Sequence, residues 1–246
     1  VESYTMVATP KMQSRQETLI LPGDPAVEVL LRRSARARRL SLRVSGLDGR
    51  VTLSVPKSMK LRTAEEFLFD KADWVREHIE GQPKSVAPVV GGIVPVEGRD
   101  LAIRPVAPPR RRARLGPDVV EINPALPVAP QVAGLLKTAA RARLAAACDR
   151  YASEVGRRYS SLSLRDTRSR WGSCSSAGRL MFSWRLIMAP PEVLDYVAAH
   201  EVAHLVEMNH SRAFWDVVAQ LCPDYARRRR WLRDHGSVLH SIRFEP

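Results

Sequence analysis

Cysteine is scarce in this chain: Cys148, Cys174 and Cys222 are the only three in 246 residues. They are too few and too scattered for a disulfide framework or a cysteine zinc cluster. That scarcity suits a reducing compartment, and a cytoplasmic location is expected. No apolar run approaches the roughly 20 residues of a membrane helix; the longest candidate, 86–96, is broken by Pro and Gly. No basic segment leads into an apolar stretch at the start, so no signal peptide is expected. Residues 1–5, ahead of Met6, are read as a remnant and set aside. Zinc-finger and RNA-recognition signatures are also missing.

What is present is a globular balance of 45% hydrophobic and 26% charged residues, which excludes collagen-like, low-complexity and disordered classes. The net charge is +13, and 33 of the 39 basic residues are arginine. Residues 1–130 carry +6 and residues 131–246 carry +7, so no single tail holds the charge. A basic surface attracts phosphates and acidic partners. Arg110, Arg111, Arg112 and Arg114, with Arg227 through Arg230, could contact nucleic acid weakly and without sequence preference. Four consecutive helical residues point around the whole circumference, so no single groove is expected from them.

The α+β organisation reads in two parts, 26–130 and 131–240. In the first, AVEVLLRR reads as a strand, and LSLRV (40–44) and VTLSV (51–55) alternate as a hairpin. Thr63 and Glu66 suggest a capping box opening one helix that ends at Gly81. Ten of the 18 prolines fall in residues 83–130, with short strands expected at 101–104 and 119–122. The second part opens with a long helix between Pro130 and Gly156. A strand follows at SLSLR, then a turn at GSCSSAG. A second strand is expected over 179–188, where Leu180, Phe182, Trp184 and Leu186 alternate. Its edge could take an extended peptide by strand addition. Pro190, Pro191 and Glu192 open another helix, and Ser211 precedes a further one.

HEVAHLVEMNH at 200–210 carries the chemistry. His200 and His204 lie four apart on the predicted helix, so both imidazoles project from one face and can reach one zinc ion at ~2.1 Å. Glu201 stands where the HExxH pattern has its general base, deprotonating a zinc-bound water. A third ligand is wanted, and Glu207 and His210 are near. Glu207 is seven residues from His200, ~10.5 Å along a helix, too far for one ion. His210 is better placed if the helix ends near Met208, with Asn209 left-handed at the exit and Ser211 capping the next helix. Arg170, in the RWGSC block at 170–174, could bind a substrate carboxylate or an oxyanion, or be a structural arginine. Tyr196 could donate to an oxyanion, with a core role favoured. Core roles are favoured for Trp171 and Trp184 too, and a small buried role for Cys174. His78, His235 and His240 lack ligand spacing and read as surface or packing residues.

The stretch RWGSCSSAGRLMFSWRLIMAPPEVLDYVAAHEVAHLVEMNHSRAFW resembles the YgjP-like metal-dependent hydrolases, related to SprT-like zincin peptidases. RRSARARRLSLRV and LSVPKS resemble that family's N-terminal region. The resemblance implies a zincin-like metallopeptidase domain behind an N-terminal β-hairpin-plus-helix region, zinc on His200, His204 and His210, and Glu201 as base. The third-His spacing equals that of the metzincins, but Glu207 replaces their turn glycine, so that assignment is not made. The implied activity is a zinc-dependent peptidase acting on polypeptides. Two alternatives stand beside it: a pyrophosphatase acting on a nucleotide such as uridine triphosphate, and a nucleic-acid-associated binding protein. The sequence leaves substrate and oligomeric state open.

Overall fold

A computed structural model describes residues 17–45, 49–81, 85–107 and 112–244. The chain forms two compact units that divide between Gln82 and Pro83. The proline-rich region therefore lies with the helices that follow it, not with the sheet before it as the 26–130 grouping expects.

In the first unit, strands β1 (Glu17–Leu21), β2 (Val27–Ser34), β3 (Ser41–Val44) and β4 (Val51–Pro56) form one sheet in the order β1-β2-β4-β3. The β3–β4 hairpin pairs Leu42 with Leu53 and Val44 with Val51. β2 runs parallel to β4 on its other side. Alternation puts Val51, Leu53 and Val55 on the buried face, where they meet Ala64, Leu68 and Val75. Those three come from two helices, α1 (Leu61–Asp70) and α2 (Ala72–Glu80), not from the single helix expected. Lys71 ends one and begins the other. The apolar spacing 64, 68, 72, 75, 79 runs on through this break, so periodicity does not reveal it. The expected capping box is absent: α1 starts at Leu61 without a side-chain cap, and Thr63 lies inside it.

The second unit begins with a sheet of β5 (Ile93–Val96), β6 (Arg99–Pro105), β7 (Arg114–Leu115) and β8 (Val119–Ile122), ordered β5-β6-β8-β7. The β5–β6 turn has Glu97 at φ 50° and Gly98 at φ 74°, the positive values that two-residue hairpin loops favour. Its amides donate to the carbonyls of Ile187, at 2.7 Å, and Met188, at 3.4 Å. The Glu97 carboxylate pairs with Arg143. The hairpin tip is thereby fixed just ahead of the helix that carries HExxH.

Helix α3 (Val128–Glu154) buries Val132, Leu136, Ala140, Leu144, Cys148 and Tyr151, a stripe with a four-residue repeat relaxed to three at its end. Gly156 at φ 62° closes it. The Gly156 amide donates to Ser153 and the Arg157 amide to Ala152, the paired bonds of a Schellman cap. Pro130 lies at the third helical position rather than the first, since the helix starts at Val128.

A three-stranded sheet follows, of β9 (Ser161–Arg165), β10 (Gly172–Cys174) and β11 (Arg179–Ser183), ordered β10-β11-β9. Two expectations change here. The second strand stops at Ser183, and Trp184–Met188 form a 3-10 helix whose five residues are all buried. β11 is also the central strand, so its edges are both taken and the outer strand is β10. Arg185 holds the 3-10 helix in place: it forks onto the two Asp166 carboxylate oxygens at 2.6 and 3.0 Å and donates to the carbonyls of Leu239 and Ile242. Helices α4 (Pro191–Ala203), α5 (Arg212–Leu221) and α6 (Tyr225–Ser241) complete the unit. No described helix is long and apolar enough to cross a membrane.

Candidate metal centre

Helix α4 is buried on nearly every side, with Val193, Leu194, Val197, Ala198, Ala199, Val202 and Ala203 in the core. Pro191 supplies its first residue, where a missing N–H costs nothing. The helix ends at Ala203 with His204 as its C-cap, four residues before the exit expected near Met208. Amides of Leu205, Val206 and Glu207 turn back onto the carbonyls of Val202 and Ala203. Asn209 is not left-handed; instead its carbonyl accepts from the Ser211 amide at 2.8 Å. The Ser211 hydroxyl then caps α5 by accepting from the Phe214 amide.

This early exit brings His210 back over the helix end. The ligand nitrogens of His200, His204 and His210 all lie within 4.8 Å of one another, and Nε2 of His200 is 3.1 Å from Nε2 of His210. Nδ1 of His204 donates to the Glu207 carbonyl oxygen at 3.0 Å, which leaves Nε2 as its free acceptor. Burial, with the neighbouring imidazoles behind it, pushes His200 down to about 3. Burial also lowers His204. Three imidazole nitrogens gathered this closely could hold one metal ion. Among the described residues this is the group of three His, Cys, Asp or Glu gathered closely enough to hold an ion. Glu207 contributes its carbonyl to His204 rather than a carboxylate to the cluster.

Aromatic rings wall the cluster. Phe214 stacks on His204 with ring centroids 4.4 Å apart and meets His200 edge-on at 4.9 Å. Trp215 tilts over His210.

Glu201 is 5% exposed, a carboxyl inside an apolar helix packing. Burial pushes it up to about 8, opposed by the charge of Arg170 and by the Cys174 backbone N–H, which donates to it. The strand β10 therefore cradles Glu201. Gly172 in that strand has no room for a side chain: a Cβ there would lie 2.6 Å from Oε1 and 2.7 Å from Cγ of Glu201. Residue-type reasoning missed Gly172, the Cys174 amide and Phe214. The RWGSC and FW blocks were the available signals, but spacing alone does not say what they touch.

Arg170 is exposed, and its charge reaches the Glu201 carboxyl. Tyr196 is buried, its ring edge-on to His200 at 5.9 Å, and burial pushes its hydroxyl up to about 12. Trp184 is buried, whereas Trp171 is partly exposed and packs on His240. Cys174 is half-buried. His78 packs on Trp74 and His235 on Trp231. Arg110 and Arg111 lie outside the described residues. In α6, Arg227 and Arg228 pair with Asp224, and Arg229 covers the Trp215 ring. The run is dispersed around the helix rather than presented on one side.

A family model described as YgjP-like, metallopeptidase domain, matches residues 38–235. No curated protein matches the chain. Among solved structures, the metallopeptidase zymogen of Pyrococcus abyssi abylysin is 19% identical, with a TM-score of 0.34; the match covers 37% of this chain and 93% of that one.

Proposed function

This chain belongs to the YgjP-like metallopeptidase-domain family, and on that premise we propose that it is a zinc-dependent peptidase. His200, His204 and His210 hold the ion and Glu201 is the general base. The observation that carries this reading is the convergence of three imidazole nitrogens within 4.8 Å beside a buried carboxylate. When bound, zinc supplies Lewis acidity and a water made acidic near neutrality. The chain's own groups do the rest. Glu201 takes a proton from the water at its carboxylate and returns it to the leaving amine. The Cys174 N–H holds that carboxylate in place and Arg170 favours its charged form. A divalent cation nearby favours that form further. The outer strand β10, which lies against α4, offers a backbone edge for an extended peptide, in place of the β11 edge.

Two variants test the assignment. Glu201→Gln should keep its zinc and lose peptide hydrolysis by at least ~10²-fold; an active variant would move the base elsewhere. His210→Ala should lose most of its metal by elemental analysis. Full zinc occupancy in that protein would remove His210 from the ligand set.

A further inference from the structure

A cleft of about 510 Å³ opens directly beside the metal cluster, with His204 in its wall. Three turns meet there: the exit of α3 at 157–160, the β10–β11 turn at 175–178, and the chain leaving α4 at 204–208. Besides His204 and Tyr159, its polar lining is Arg157, Arg158, Ser160, Ser175 and Ser176, and no carboxylate lines it. Arg157 and Arg158 are both exposed, and no acidic side chain among the described residues pairs with either. The wall residue Tyr159 donates its hydroxyl to Asp149 at 2.5 Å. Arg157 and Arg158 therefore bring two positive charges to the wall of the cleft with no carboxylate in its lining. The Arg157 amide is held in the helix cap independently of its side chain, so changing that side chain leaves the cap bond in place.

From this we infer that the cleft is a specificity subsite for acidic side chains, so the substrates are polypeptides with Asp or Glu close to one side of the scissile bond. The inference rests on the peptidase reading. β10 ends at Cys174 and leads straight into the 175–178 turn, so a peptide lying along β10 past the metal runs into this cleft at one end. An acidic side chain there meets two planar forks, each able to hold a carboxylate with two parallel bonds.

The test uses the full-length zinc-loaded protein carrying Glu201→Gln, so that binding is read without cleavage. The probes are two dye-labelled peptides of alternating alanine with either glutamate or lysine. The glutamate probe should bind more tightly. Reversing the cleft charges with Arg157→Glu and Arg158→Glu should weaken it on the order of tenfold at unchanged zinc content. Arg157→Gln with Arg158→Gln should give a smaller loss, which guards against a folding defect in the reversed pair. The control reverses two exposed arginines of the first unit, Arg38→Glu and Arg39→Glu, and should change little. Equal binding of the two probes, or an equal loss in the control, overturns the subsite. Cleavage is read separately, by mass spectrometry of a digested peptide library. Wild-type sites should be rich in Asp or Glu on one side, and the enrichment should vanish in the reversed pair. Cleavage without such enrichment sinks the subsite alone. A wild type that cleaves nothing sinks the peptidase reading, while the binding comparison still judges the cleft.

Discussion

At the scale of single residues, the site depends on one missing side chain. Gly172 lies where a Cβ would meet Cγ and Cδ of Glu201 at 2.7 and 2.8 Å, so the near end of that side chain is hit as well as its tip. Glu201 is buried and cannot swing into solvent at no cost. Gly172→Ala is therefore expected to push the carboxylate off the Cys174 amide. Overpacking of this kind costs about 1–3 kcal/mol, and hydrolysis should fall by about 10²-fold while zinc stays bound. Gly91→Ala is the comparison. A Cβ there meets nothing within 4 Å, but φ is +80°, so stability should drop by roughly 1 kcal/mol with activity per folded molecule unchanged. Thermal melts, zinc analysis and peptide hydrolysis on both proteins decide it. If Gly172→Ala hydrolyses normally, the cradle has no part in holding the base.

At the scale of elements, the place of His210, the proposed third ligand, is set by how one helix stops and the next starts. Ser211 follows His210 directly and caps α5, so the cap also fixes the chain on which His210 hangs. Ser211→Ala should cost about 1 kcal/mol of stability. It should also make zinc roughly tenfold easier to strip with a chelator, the scale seen when support behind a ligand is lost. Unchanged chelator competition would mean that Phe214 and Trp215 alone hold the ring of His210. That His200 and His204 lie close together was legible in the sequence because a four-residue spacing on any α-helix puts two side chains on one face. The exit was not legible at its true place. It is made by backbone bonds from 205–207 to Val202 and Ala203, which carry no residue signature, whereas Asn209 offered a left-handed exit that the chain does not use. The same limit applies at Trp184 and Lys71. Trp184 and Leu186 continue the alternation of β11, yet burial of all five residues 184–188 accommodates a 3-10 helix. The apolar stripe of α1 and α2 passes unbroken through Lys71. Hydrophobic period reports which residues are buried, and here it is silent on where the backbone changes hydrogen-bond partners.

At the scale of the whole molecule, the chain has two separate cores. Leu21, Val29, Leu31, Val51, Leu53 and Val55 belong to one, with the helices that cover them. The other joins the sheet residues Val94, Val96, Leu101, Ile103, Val120 and Ile122 to α3 through Val132 and Leu136, and continues to α4 and Phe214. Every residue of the proposed site lies in the second unit. A fragment of residues 83–246 should accordingly fold alone and bind one zinc. Its melting temperature should rise with zinc, since a ligand at 100 times its Kd adds about 2.7 kcal/mol to the folded state. A fragment of residues 131–246 should fail. It removes the first helical residues of α3, strips the apolar sheet from Val132 and Leu136, and deletes the Glu97–Gly98 tip whose amides hold Ile187 and Met188 ahead of α4. The two fragments separate the boundary after Gln82 from one at 130. A stable, zinc-binding 131–246 would show that the proline-rich sheet is dispensable to the metal centre. An aggregated 83–246 would show that the second core needs the first unit to fold.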